Sequence, residues 1–240
     1  MSPGLSSWDL ENLGDRMVPG EQRTKMGDWI LRADQGVTGR ANSCWAQGPT
    51  ESSYAAEIAT VEGWYEQRSL APRFQIYDGN EPLAAALLDR GYVARPGAIV
   101  MTAGDIGPLV TVEGKWSVSE SVPAGLAELI GDAGRVIECT RCRGHVRVVS
   151  VAVDGLLVGG GVIAVDGVAA GIGLMYTHRA YRRMGVAASV LVRMSTEARA
   201  LGARSFWLQV APDNDGAIAL YDRLGFMPEH RYQYYIAAPS

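Results

Sequence analysis

The residues Tyr181-Arg182-Arg183-Met184-Gly185-Val186-Ala187 decide how this chain is read, because they join a strand-like run to a long helix-like one. Upstream, Gly171-Ile172-Gly173-Leu174-Met175-Tyr176-Thr177 is apolar enough for a buried strand. Downstream, apolar residues at 186, 187, 190, 191, 194, 198 and 201 keep the spacing of one helix face, which predicts a helix over 186–201. A strand that turns into a helix leaves the first helical N–H groups unpaired, and those donors, with the helix dipole, favour an anion. Gly185 permits close backbone approach and Ala187 keeps the wall small. Arg182 and Arg183 bring guanidinium groups that make charge-assisted bonds to a pyrophosphate. A basic helix start without a ligand is the plain alternative for this segment taken alone.

A second segment bears on that choice. Ser205-Phe206-Trp207-Leu208-Gln209-Val210 reads as a strand, and Ala211-Pro212-Asp213-Asn214-Asp215-Gly216 as a loop rich in N-cap residues. A short helix over 217–224 closes at Gly225, and Phe226 leads into an aromatic terminal strand over 231–236. Arg-x-x-Gly-x-Ala after a strand resembles the acyl-CoA pyrophosphate loop of the GNAT superfamily of N-acetyltransferases. The run Asn214-x-x-Ala217-x-x-Leu220-Tyr221-x-x-x-Gly225-Phe226 resembles that family's second signature, in the family's order and at its usual separation. Glycine count and spacing fit neither a Walker loop nor a dinucleotide fingerprint.

The resemblance implies site residues. The pantetheine arm would pair with the backbone of Leu174, Met175, Tyr176 and Thr177, where an N–H would face the developing oxyanion. The pyrophosphate would meet Arg182, Arg183, Met184, Gly185, Val186 and Ala187, and Asn214 would contact the arm or simply cap its helix. Tyr221 would protonate the departing sulfur, its plain alternative being a core aromatic. No carboxylate lies between Ala169 and Tyr176, where many family members carry a general base; Glu138 and His178 are candidates, beside a water chain or an amine that arrives neutral. Thr177 and Arg179 depart from the commoner Val and Pro.

The chain has 240 residues, 48% hydrophobic and 20% charged, ordinary for a globular protein, and its net charge of −4 gives nucleic-acid binding no electrostatic support. Three cysteines cannot form a disulfide framework; Cys139-Thr140-Arg141-Cys142 lacks the second pair a structural zinc site needs, so no metal is expected and the thiols are read as unpaired. The first residues lack the layout of a signal peptide, and the apolar region 151–175 is broken by Asp154 and Asp166, so the expectation is a cytoplasmic protein without a membrane span.

The first half holds a weaker copy of the second. Phe74-Gln75-Ile76, the turn around Asp78-Gly79, a helix over 83–90 and Gly91-Tyr92 repeat the order of the strand at 205–210, its loop, its helix and Gly225-Phe226. No Arg-x-x-Gly-x-Ala precedes Phe74; residues 53–68 look helical instead, and Leu88 stands near the place of Tyr221. A hairpin is expected over 29–45 and a linker over 102–108. Between linker and signature, strands are expected at 111–112, 136–142, 146–153 and 160–165 and a helix at 123–130, with Asp154-Gly155 and Asp166-Gly167 as turns.

The expected fold is therefore mixed α/β, a mainly antiparallel sheet flanked by helices, in two GNAT-like lobes: a degenerate one over 1–105 and an acyl-CoA-binding one over 106–240. The expected activity is acetyl transfer from acetyl-CoA to the primary amine of a small molecule, by direct attack in a ternary complex, in a monomer or homodimer. A silent acyl-CoA-binding module and a protein-directed acetyltransferase are the rivals. Trp45, Trp64, Tyr65 and Glu62 are weak acceptor-pocket candidates, read first as core.

Overall fold

Asp154 and Gly155 form a two-residue connection and show how local chemistry sets the topology. Both adopt positive φ (50° and 82°), the geometry of a two-residue hairpin turn that Asp-Gly favours. They join strand β7 (His145–Val153) to β8 (Leu156–Asp166), and Gly167 turns β8 into β9 (Ala169–Thr177). The computed structural model describes residues 7–46, 54–107, 112–131, 136, 141–142 and 144–237.

The chain divides into two compact units, one of Met1–Val18 and Val100–Glu229, the other of Pro19–Ile99 and His230–Ser240. This differs from a single cut after residue 105: the first helix joins the later unit and the last strand reaches the earlier one.

In the first unit the sheet runs β10 (Ser205–Val210), β9, β8, β7, β6 (Lys115–Ser119). Only β9 and β10 are parallel; the other neighbours are antiparallel. Helices α1 (Ser7–Met17), α4 (Ala124–Ile130), α5 (Val186–Ala200) and α6 (Asp215–Arg223) belong to this unit. Adjacent strand positions point to opposite faces. On β8, a Cβ at Gly159 would run into Val186 and one at Gly161 would meet Met194, both of α5, whereas one at Gly160 would lie 3.2 Å from Leu126 of α4. Helices α4 and α5 therefore cover opposite faces.

In the second unit the sheet runs β1 (Gln22–Met26), β2 (Trp29–Ala33), β3 (Cys44–Trp45), β4 (Arg73–Tyr77), β11 (Met227–Ala237), then β5 (Tyr92–Ala103). β3 and β4 pair in parallel, as β9 and β10 do in the other unit. Helix α2 (Ala55–Glu66) buries Ile58, Val61 and Tyr65, one stripe at helical spacing, against Trp29, Phe74, Leu83 and Leu87, the last two from α3 (Glu81–Asp89). Each such aliphatic side chain contributes about 1.5–3 kcal/mol by leaving water. Gly91 (φ 89°) closes α3 as Gly225 (φ 90°) closes α6, so the strand–helix–Gly–strand echo is present in both units.

Several elements differ from expectation. Residues 29–33 pair with 44–45 across a ten-residue connection, while the tight hairpin is β1–β2 around Gly27 and Asp28. β1, with sequence QRTKM, escaped notice because it is nearly all polar and exposed. Val112 is not in a strand; β6 begins at Lys115. Of the strand expected over 136–142, Val136 is helical and Cys142 irregular; residues 137–140, with Glu138 and Cys139, lie outside the described residues, as do residue 111, Ser53 and Pro108. Cys142 is a free thiol, its sulfur accepting from Gly144 N–H, and Cys44 is free and fully buried, which pushes its thiol well up from the usual range. Among the described residues no helix is long and apolar enough to cross a membrane.

Candidate active site

The site grows from the place where β9 and β10 part in the first unit's sheet. β9 and β10 pair from Ala169↔Ser205 to Ile172↔Leu208, and there the pairing ends. β10 continues to Val210, and β9 continues to Thr177 along its other neighbour, with Tyr176 opposite Gly160 and Thr177 opposite Gly159. Gly160 pairs with Tyr176 and Val162 with Gly173, so Leu174 and Met175 together face the single Gly161. That is a β-bulge, which bends and twists a strand. Leu174 has φ 51°, a conformation costly for a branched side chain, and is nevertheless 5% exposed. The bulge carries β9 off its line where β10 no longer pairs with it. The strand edge thereby opened is the one the sequence assigned to an extended ligand arm at Leu174, Met175, Tyr176 and Thr177.

Beyond Thr177, His178 N–H bonds to Val158 O at 2.8 Å, and its Nδ1 accepts from Ala180 N–H at 3.3 Å, capping the short 3-10 turn Arg179–Tyr181. Its edge meets the Tyr181 ring at 5.8 Å. One ring nitrogen is thus held as a structural acceptor, which argues for a loop-shaping role for His178 over that of a base.

The loop to α5 has the form of an anion cradle. Arg183 takes φ 66° and Gly185 φ 83°. Left-handed residues of this kind turn successive N–H groups toward one concavity, here at the positive end of a fifteen-residue helix. A Cβ at Gly185 would meet nothing within 4 Å, so this glycine is needed for its backbone angle rather than for crowding by the protein. Arg182, Arg183 and Met184 are exposed, and among the described residues neither arginine is engaged in an ion pair. Val186 is buried against β8, and Ala187 is half-buried. Ser189, not anticipated from the sequence, fixes the loop: its hydroxyl donates to Gly185 O at 3.1 Å and accepts from Val112 N–H at 3.0 Å.

The second signature lies at the same end of the sheet, since β9 and β10 are parallel and α5 and α6 both start beyond their C-terminal ends. Ligands of open α/β sheets gather at such strand ends. Asn214 caps α6, its Oδ1 accepting from Ala217 N–H at 3.2 Å, as its plain reading had it. Tyr221 is 8% exposed and packs edge-on against Phe226 at 5.8 Å. Burial raises its phenol above the ordinary tyrosine range, so it stays protonated at neutral pH. The acceptor-pocket candidates fall elsewhere: Trp45 and Tyr65 are core residues of the second unit, Trp64 packs against Tyr65, and Glu62 is bound by Arg90 at 2.6 Å.

Sequence and structural comparisons give the family and the fold. The family model described as "Probable histone acetyltransferase Rv0428c C-terminal" matches residues 9–235. The chain belongs to this family of GNAT N-acetyltransferases. It is 26% identical over 245 residues to the "Uncharacterized N-acetyltransferase YobR" of Bacillus subtilis (strain 168), covering 93% of this chain and 96% of that protein. Among solved structures, a GCN5-related N-acetyltransferase from Kribbella flavida superposes with TM-score 0.72 at 16% identity, covering 100% of this chain and 98% of that one. A tandem GNAT protein from the clavulanic acid biosynthesis pathway superposes with TM-score 0.69 at 16% identity, covering 99% and 90%. The mixed α/β fold of the acetyltransferase is shared with both.

Proposed function

We propose that this GNAT enzyme binds acetyl-CoA in the parting of β9 and β10 and moves its acetyl group directly to the primary amine of a small molecule. The observation that carries this reading is the end of β9–β10 pairing at Ile172↔Leu208 beside a bulge, with the Arg183–Gly185 turn beyond it. An extended pantetheine arm needs an open strand edge, and its pyrophosphate needs convergent N–H donors and cations; both lie at one end of the sheet. Arg182 and Arg183 would hold the pyrophosphate and the backbone of Leu174 to Thr177 the arm, while a backbone N–H of β9 would face the oxyanion. Tyr221 keeps the proton that the departing sulfur needs.

A second reading, acetylation of a protein lysine, draws support from the histone acetyltransferase in the family's description. Acetyl-CoA-dependent thiol release, measured against a panel of small primary amines and against lysine peptides, separates the two. Calorimetric titration of CoA into Gly185→Glu and Gly185→Ala tests the cradle. Both variants carry the same left-handed strain, about 1–2 kcal/mol, but only the glutamate places an anion at the phosphate position. CoA binding should vanish in the glutamate variant and survive in the alanine variant; unchanged affinity in both would remove the cradle from the site.

A further inference from the structure

The cradle at the start of α5 has little of its own to hold it in shape. Arg182 to Gly185 are exposed, and Gly185, the N-cap, has no side chain with which to close the helix start. Glycine has more backbone freedom to lose than any other residue, so a φ of 83° at Gly185 is not self-enforcing. An anion site made of backbone N–H groups works best when those groups already face the anion, because a loop that must be ordered at each binding event loses affinity to that ordering.

Ser189 supplies the missing constraint. Two buried residues of α5, Ser189 (1% exposed) and Ser195 (5% exposed), are polar, and a buried hydroxyl costs stability unless it is bonded. Ser195 meets that need within its own helix, donating to Val192 O at 2.8 Å. Ser189 reaches further. A carbonyl can only accept and an N–H can only donate, so the Ser189 hydroxyl donates to Gly185 O and accepts from Val112 N–H. With its oxygen engaged by Val112, its hydrogen is kept on Gly185. Val112 lies outside the helix, in the irregular stretch before β6, so the cradle is tied to a second part of the chain.

The Gly185 carbonyl thereby has two donors from one residue, since Ser189 N–H also reaches it, at 3.0 Å. Together they pin the peptide plane. In a trans peptide the C=O of one residue and the N–H of the next point opposite ways. With Gly185 O directed into the helix, Val186 N–H is directed out of its start, among the donors that a helix leaves unpaired in its first turn.

We propose that Ser189 is a positioning residue of the acyl-CoA site, holding the Gly185–Val186 peptide so that Val186 N–H faces the pyrophosphate. This rests on the acetyl-CoA reading above. Ser189 itself is too buried to touch the ligand. The pyrophosphate lies at the opposite end of the pantetheine arm from the thioester, and its contacts are the same before and during acetyl transfer. Ser189 therefore sets the affinity for CoA and leaves the rate of the chemical step alone.

The test is calorimetric titration of CoA into wild type, Ser189→Ala and Ser195→Ala. Alanine is a stronger helix former than serine, so α5 survives both changes. CoA should bind Ser189→Ala about three- to tenfold more weakly, the loss expected of one hydrogen bond. Ser195→Ala loses the same kind of bond from the same helix and should bind CoA as wild type does. In steady state, with whichever of a diamine or a lysine peptide the wild type acetylates, the KM of Ser189→Ala for acetyl-CoA should rise by the same factor at unchanged kcat. Acetyl-pantetheine, a donor that ends before the pyrophosphate, should show no difference between Ser189→Ala and wild type. Unchanged CoA affinity in Ser189→Ala, an equal loss in Ser195→Ala, or an equal loss with acetyl-pantetheine overturns the assignment while leaving the acetyl-CoA reading intact. A wild type that binds no CoA overturns both.

Discussion

At the residue scale, the sharpest question is what the Tyr221 hydroxyl does. Its ring is held by burial and by Phe226, so removing the oxygen leaves the packing in place. Tyr221→Phe should therefore keep its melting temperature within a degree or two and its CoA affinity near wild type, while kcat falls about 10²–10⁴-fold. Such a loss belongs to an interaction made in the transition state. A kcat within about twofold of wild type would reduce Tyr221 to a core aromatic. Asn214 shows the opposite case: its oxygen is already spent on Ala217 N–H, so its replacement by alanine should cost about 0.5–2 kcal/mol of stability whatever it does to CoA.

At the scale of elements, the second unit depends on how closely its late strands approach. A Cβ on Gly97 of β5 would run into the Tyr232 carbonyl oxygen of β11 and lie 2.8 Å from its carbonyl carbon. Backbone cannot yield as a side-chain tip can. Gly97→Ala should lower stability by more than the roughly 1 kcal/mol at which ordinary substitutions centre, read as a lower denaturant midpoint; an unchanged midpoint would mean that β5 and β11 can separate freely. Elements of this kind divide into the legible and the illegible. α5 was readable because its apolar residues keep one helical period and Gly185 marks its start, and β10 because it is a short run of aromatic and branched residues. The β9 bulge was not, since Leu174 at φ 51° contradicts its own local preference while its side chain joins Leu126 and Val162 in the core. α1 had a signal, Leu10, Leu13 and Met17 at helical spacing, all buried, but it stands apart from the motifs. Of the strand expected over 136–142, Val136 is helical and residues 137–140 lie outside the described residues; apolar content does not distinguish a strand from a helix in so short a run.

For the whole molecule, among the described residues, the parallel β9–β10 pair is followed by a left-handed Arg-Gly turn at a helix start. The β3–β4 pair instead has α2, whose N-cap Tyr54 offers no side-chain acceptor bond and no basic residue. The enzyme should accordingly bind one CoA per chain, and a calorimetric stoichiometry of two would show a second cradle in the other unit. The same organisation bears on truncation. Residues 106–240 alone lack α1, which covers Gly171 and Trp207, and should show no cooperative unfolding transition, whereas a single cut after residue 105 would have had them fold unaided.

The pairing of β4 with the final strand, Tyr77↔Tyr232 through Arg73↔Ile236, has a further consequence for how the protein is made. A growing chain ordinarily lets its first domain settle while the next is still being synthesised. Here the early unit has all of residues 19–99 in hand and still waits for the partner of β4, while the later unit holds its first helix in reserve until Gly171 and Trp207 have emerged. Neither can mature on the ribosome ahead of the other. For most of translation the nascent chain carries an unfilled sheet edge at β4, which marks that strand as the place where a chaperone would be needed and where a stalled or prematurely terminated chain would aggregate.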